Sequence, residues 1–437
     1  MRGRHVGALV MFVLVLAAAM FTYIRTRPAV SGGDLREALE EVEAIRDALE
    51  DVECPRPAFW GPPSEPALPV SDLLRHDGPF RGCFGAYVDA TRIASIHETG
   101  EPRPSGFELF VTHSPRSYSL VQSSTLEQAL ETCAPFAEEV RRQAGTPNRC
   151  TPYGLRSELG YRQASRIESN HFARALAMVA RYGEMPDEER LRLLIQGMAV
   201  TRDLGQGANG FEFARASTRF EDTLAAAFVH IAQRSTISAD VHAELHQALG
   251  VLADMHVNAH ALVGGEGLWQ VEEFPSIVDV EFQPESERRR VTFASAMFLS
   301  RLTQTCPPGT TMEACMAFFP YAGEVPDERI AELLGPLFIR SQSLAFLHAQ
   351  WTYDYPDKFQ QLLDARWSPR ALQEILRWSG EAKEGRCPAV SSWDPEAHED
   401  RFYVEQNNEG VYRLVTPGVE RRGYIFRCSA EVPAESP

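Results

Sequence analysis

Residues 242–260 read HAELHQALGVLADMHVNAH and hold four of the chain's twelve histidines. They form two His-x-x-x-His pairs, His242 with His246 and His256 with His260. Imidazoles at i and i+4 can grip one metal ion from a helix face. If one helix covers the stretch, His246 falls about +40° from His242, His256 about −40° and His260 near 0°. All four then share a face with Leu245, Leu249, Ala253 and Val257, which makes it a packed stripe. The pairs stand about 21 Å apart along the axis, too far to share an ion. Metal sites of structural or catalytic type take three or four protein ligands, so His171, His230 or His348 would have to complete either pair. Glu168 and His171 form a Glu-x-x-His of the di-iron kind, but no second copy occurs. HAELH sets Glu244 one place off the His-Glu-x-x-His pattern. The reading adopted is imidazoles hydrogen-bonded between helices, with no metal and no cofactor. The alternative is a metal-binding protein or metal-dependent enzyme using His242, His246, His256 and His260.

No other stretch supplies a catalytic signature. The Gly-x-Ser-x-Gly elbow, Ser-x-x-Lys, the P-loop and the calcium loop are all missing from the sequence. Gly264-Gly265-Glu266-Gly267 reads as the stop of the histidine helix and a loop. Among 60 acidic residues none is singled out for general acid or base work, so no catalytic residue is assigned. A deep polar pocket between the helical blocks would favour a hydrolase.

Charge and sulfur narrow the setting. The net charge of −17 repels phosphate backbones, which excludes nucleic acid as a partner. Only Lys358 and Lys383 are lysines among 43 basic residues. Val6 to Ile24 is free of charge, and a helix of that length crosses a hydrocarbon core of about 30 Å. Ala17-Ala18-Ala19 would suit cleavage of a secretory signal. The apolar run continues through Met20, Phe21, Tyr23 and Ile24, which favours an uncleaved inner-membrane anchor. Eight cysteines follow, none in a Cys-x-x-Cys, so four disulfides in an extracytoplasmic, periplasm-like body are expected. Pairing neighbours gives Cys54–Cys83, Cys133–Cys150, Cys306–Cys315 and Cys387–Cys428. The third is best supported, because Pro307-Pro308-Gly309 is turn chemistry between close cysteines.

Elements follow from periodicity. Residues 1–30 are the anchor or signal. Residues 31–53 form an acidic amphipathic helix, with Leu35, Leu39, Val42, Ile45, Leu49 and Val52 on one stripe and Asp34 at its start. It is either a short coiled-coil stalk or packed on the body. Residues 54–150 read as a small mixed region with strands at Phe107–Val111 and Tyr118–Val121 and a helix from Thr125 to Ala144. Residues 151–380 are helical: Pro186 opens a helix carrying Leu191, Leu194, Ile195 and Met198, closed near Gly205 and Gly207. YGEMPDEERLRLL at 182–194 recurs as YAGEVPDERIAELL at 321–334. Ser238 and Ser368 each precede a later helix, and each is expected to cap it. Two copies of a multi-helix unit are inferred, about 155–265 and 284–380. Residues 381–437 form a hairpin around Asn407-Asn408-Glu409-Gly410 plus a strand GYIFRC, which is expected to lie on the hairpin at 107–121.

The stretch ARALAMVARYGEMPDEERLRLLIQGMAVTRDLGQG resembles uncharacterised membrane-anchored bacterial proteins built from helical hairpins. It is loosely similar to tetratricopeptide-type arrays, without their Trp, Tyr and Pro spacing. The resemblance implies stacked helices outside the cytoplasm and no particular reaction. The sequence thus predicts a mainly α protein, a bundle or short solenoid with a two-copy repeat and a small disulfide-stapled β region. Its expected role is a non-catalytic envelope scaffold whose partner is another envelope protein.

Overall fold

A computed structural model describes residues 31–50, 57–60, 80–87, 123–146, 168–206, 211–255, 257–272, 285–316, 355–383, 385–391, 401–407, 411–418 and 422–428. Val6–Ile24, the strands expected at 107–121, the repeat phrase at 321–334, and Cys54, Cys150, His256 and His348 lie outside these residues. The described chain is mainly helical. Its helices are α1 Gly32–Glu50, α2 Ser123–Ala144, α3 Glu168–Tyr182, α4 Asp187–Gln206, α5 Phe211–Ala232, α6 Ala239–Asp254, α7 Ala259–Glu272, α8 Glu285–Thr305, α9 Met312–Met316, α10 Tyr355–Asp364 and α11 Trp367–Lys383. Strands β1 Tyr403–Gln406, β2 Val411–Val415 and β3 Gly423–Arg427 form one antiparallel sheet in that order. Among the described residues no helix is long and apolar enough to cross a membrane.

The centre of the molecule is α4 and α5, packed side by side and flanked by α3. Leu191, Leu194, Ile195 and Met198 are all fully buried, as their i, i+3, i+4, i+7 spacing requires. Asp187, Glu188 and Glu189 stand in the first turn of α4, where negative charge complements the helix dipole. The same core includes Phe136 of α2, Phe172 of α3, Phe228 of α5, Leu249 of α6, Ile375 of α11 and Phe426 of β3. It therefore runs through three of the regions delimited from sequence.

Two expectations about the amino-terminal half change. Cys83 pairs with Cys133, so neither Cys54–Cys83 nor Cys133–Cys150 forms. The helical segment 80–87 lies against α2, with Phe80 5.2 Å from Phe136 and 5.8 Å from Phe172. That ring packing, not distance along the chain, decides which sulfurs meet. Cys306–Cys315 and Cys387–Cys428 form as the local reading has them. The acidic helix α1 packs on the body: Ala38, Val42 and Leu49 meet Ala261 and Leu268 of α7 and Leu299 of α8. Ser31 and Asp34 cap it reciprocally, each accepting from the other's backbone N–H. Leu39 of the expected stripe is turned outward instead, 39% exposed.

The carboxy-terminal sheet lies on helices. Phe426 meets the Trp378 ring of α11 at 5.7 Å. Both outer strands are covered along their edges. The Gln233 side chain donates to the Ile425 carbonyl and accepts from the Arg427 N–H, while Ser391 exchanges two hydrogen bonds with Val404. Such cover removes the unpaired edge that invites aggregation. Ser368 is not a cap. Its hydroxyl sits 2.6 Å from the Tyr424 hydroxyl and accepts from Arg422, because α11 begins one residue earlier, at Trp367.

Candidate functional site

The histidine stretch is two helices, not one. Met255 is extended, with φ −71° and ψ 113°, and ends α6. Asn258 then opens α7 by accepting from the Ala261 N–H at 3.0 Å. Every residue from Ala259 to Val271 is buried, so Gly264-Gly265-Glu266-Gly267 is the interior of a core helix and not a loop. Glycine is unfavourable in a helix by about 1 kcal/mol, but close packing requires it here. A Cβ on Gly264 would stand 2.7 Å from Leu49, and one on Gly267 2.5 Å from Leu299. Glu266, inside this helix, accepts from the Phe211 N–H at 3.0 Å and caps α5.

The break separates the imidazoles. His242 Nε2 is 3.1 Å from the Leu376 carbonyl of α11. His246 is exposed. His260 is buried, with Nδ1 2.7 Å from the Cys306 carbonyl. His171 lies against Phe84 and Tyr87, and burial, with Arg174 nearby, lowers its pKa to about 4. His230 faces Arg234 at 2.7 Å; burial, then Arg181 and Arg234, lower its pKa to about 3. Glu244 is held in a two-pronged pair by Arg192 at 3.0 and 2.8 Å. Among the described residues, no three His, Cys, Asp or Glu side chains are grouped to hold a metal ion.

The break does build something else. Where α6 ends, a cavity of about 660 Å³ opens between α5, the 255–258 joint, the loop closed by Cys306–Cys315, and the α10–α11 elbow. Its floor is ionic. Arg202 of α4 grips both oxygens of Glu221 of α5 at 2.7 and 3.0 Å, and both side chains are almost fully buried. The same guanidinium donates to the carbonyls of Leu252 and Ala365. Those carbonyls close α6 and α10, where the helix dipole is negative and a cation is favoured. Ser217 and Thr218 complete the floor and donate to the carbonyls of Ala214 and Arg215 at 2.6 and 2.9 Å.

The walls are largely apolar: Met255 and Val257 on one side, Met312 and Leu363 on the other. At the mouth Glu313 pairs with Arg366 at 3.0 Å, and Asp254 lies 3.8 Å from Arg370. Both guanidinium groups sit over the Trp367 ring, each 5.2 Å from its centre. The cavity lies between the two helical blocks read from the sequence, yet its buried carboxylate is already neutralised by Arg202. The floor residues Arg202, Ser217, Thr218 and Glu221 carry no motif in the sequence, whereas Val257 and Gly309 fall in stretches it marks, the packed stripe and the Pro-Pro-Gly turn. The available signal was Asn258, a capping residue inside what looked like a continuous helix. Compared with protein-family models, with curated proteins and with solved structures, the chain matches none.

Proposed function

We propose that the protein is a non-catalytic scaffold of the cell envelope that docks a segment of another envelope protein in the cavity beside the 255–258 joint. Val6–Ile24 serves as its inner-membrane anchor and the body lies outside the cytoplasm. The observation that carries this reading is the satisfied floor. The ionisable groups of the floor are bonded within the protein, Arg202 to Glu221 and to two helix-end carbonyls. Catalysis needs an acid, base or nucleophile left for the substrate; a fixed polar floor under apolar walls suits binding. Three disulfides among the described residues support an oxidising location. The Cys306–Cys315 loop, which supplies one wall, is held there by the sulfur bridge and by the His260 contact.

A photo-crosslinking residue at Thr310, on the lip, tests the reading in intact cells. The expected result is one discrete protein adduct, lost when the probe is moved to exposed Arg219 on α5. No adduct from Thr310, or the same adducts from both positions, would overturn it.

A further inference from the structure

Charge is already balanced in the cavity beside the joint. Each ionisable group that lines it has a partner of opposite sign: Arg202 with Glu221, Arg366 with Glu313, and Asp254 with Arg370. A charged guest must break one of these pairs and leave the displaced partner uncompensated, so it gains little. The uncharged polar groups are not all committed. Asn258 accepts from the Ala261 N–H through its side-chain oxygen, which leaves both N–H groups of its amide to donate. Thr311 accepts from the Ala314 N–H at 3.3 Å, and its own proton has no acceptor among the described residues. The Thr310 hydroxyl has no hydrogen-bond partner among them either. Arg366 adds a buried Nε–H without an acceptor among the described residues, which costs free energy until one is supplied. Acceptors lie on the floor, where Ser217 and Thr218 have given their protons to helix carbonyls and keep their lone pairs.

Donors on the joint and on the Cys306–Cys315 loop, acceptors on the floor and balanced charge suit a neutral group that both accepts and donates. A peptide unit is such a group, with one C=O and one N–H. Met255, Val257, Met312 and Leu363 line the same space, which favours an aliphatic side chain between two such units. At about 660 Å³ the cavity is of the size that takes one small molecule. It has room for a few residues of chain and not for a folded face.

We infer that the cavity receives a short uncharged stretch of the docked segment, an aliphatic residue held through its own peptide groups. This rests on the docking reading above and adds the chemistry of the guest. The test uses full-length protein with 13C-labelled methionine methyls, following Met255 and Met312. The probes are an acetylated Gly-Gly-Leu-Gly-Gly amide, the same peptide with lysine or with glutamate in place of leucine, and isovaleramide alone. The leucine peptide is expected to shift both methyls saturably, and both charged peptides to bind at least about fivefold more weakly. Asn258→Asp keeps the oxygen that caps α7 and removes both amide donors. It should weaken the leucine peptide about fivefold, the weight of one hydrogen bond. No saturable shift with the leucine peptide, or a charged peptide bound as tightly, would overturn the assignment of a neutral guest. Unchanged affinity in Asn258→Asp would overturn recognition through peptide groups. Isovaleramide binding as tightly as the peptide would make the guest a free amide and overturn the segment as its source. The titration needs no partner protein, so a missing Thr310 adduct sinks the docking reading without touching the peptide result.

Discussion

Arg202 and Glu221, on neighbouring helices, face each other through two buried hydrogen bonds of 2.7 and 3.0 Å, and the cavity rests on them. Removing one partner leaves the other buried and uncompensated. Arg202→Met is expected to destabilise the fold by about 3–5 kcal/mol, whereas the double change Arg202→Met with Glu221→Leu should cost much less. Urea denaturation of the two variants checks this. A single change as mild as the double one would show that the pair is not load-sharing in the way the geometry requires.

Acid should loosen the protein well above the pH at which carboxylates titrate. His230 is held near pKa 3 and His171 near 4 by burial and adjacent arginines. The unfolded chain binds those protons near 6.5. With more protons bound when unfolded, stability is full above about pH 6.5 and declines as pH falls toward about 3. The urea midpoint of His230→Asn, followed from pH 7 to 4, should fall less steeply than that of the wild type. Parallel curves would contradict the assignment.

Gly267 lets α8 approach α7, since a Cβ there would stand 2.5 Å from the Leu299 side chain. Gly267→Val is expected to cost about 1–3 kcal/mol by overpacking, despite replacing a poor helix former. A melting temperature equal to or above the wild type would show that the helices can separate freely.

The docking of α1 rests on a small contact centred on Val42 and Leu49. Leu49→Ala should release α1 preferentially, costing about 2–5 kcal/mol at that interface. Hydrogen exchange is expected to quicken across 32–50 while α4 and α5 stay protected. Uniform quickening over the whole chain would mean that α1 is part of one cooperative unit.

How much of this was legible in the sequence depended on whether a feature was local. Leu191, Leu194, Ile195 and Met198 announced a buried helix face, and Ser238 caps α6 as its position suggested. Cys306 and Cys315 are nine residues apart across a Pro-Pro-Gly turn, so chain geometry nearly decides their pairing. Cys83 and Cys133 are fifty apart, and only the packing of Phe80 on Phe136 brings them together. The glycines of α7 misled because helix propensity disfavours them, while tertiary packing against Leu49 and Leu299 demands them. The candidate site was least visible. Its floor joins Arg202, Glu221 and the carbonyls of Leu252 and Ala365, and backbone carbonyls leave no mark in a sequence.

The most direct test of an oxidised, extracytoplasmic helical body is a disulfide map of the full chain, trapped with alkylating agent as its native cells are opened. The map should contain Cys83–Cys133, Cys306–Cys315 and Cys387–Cys428 with no alkylated thiol, and counting leaves Cys54 to be recovered with Cys150. Alkylated Cys306 and Cys315 in most molecules would place the body in a reducing compartment and contradict the account.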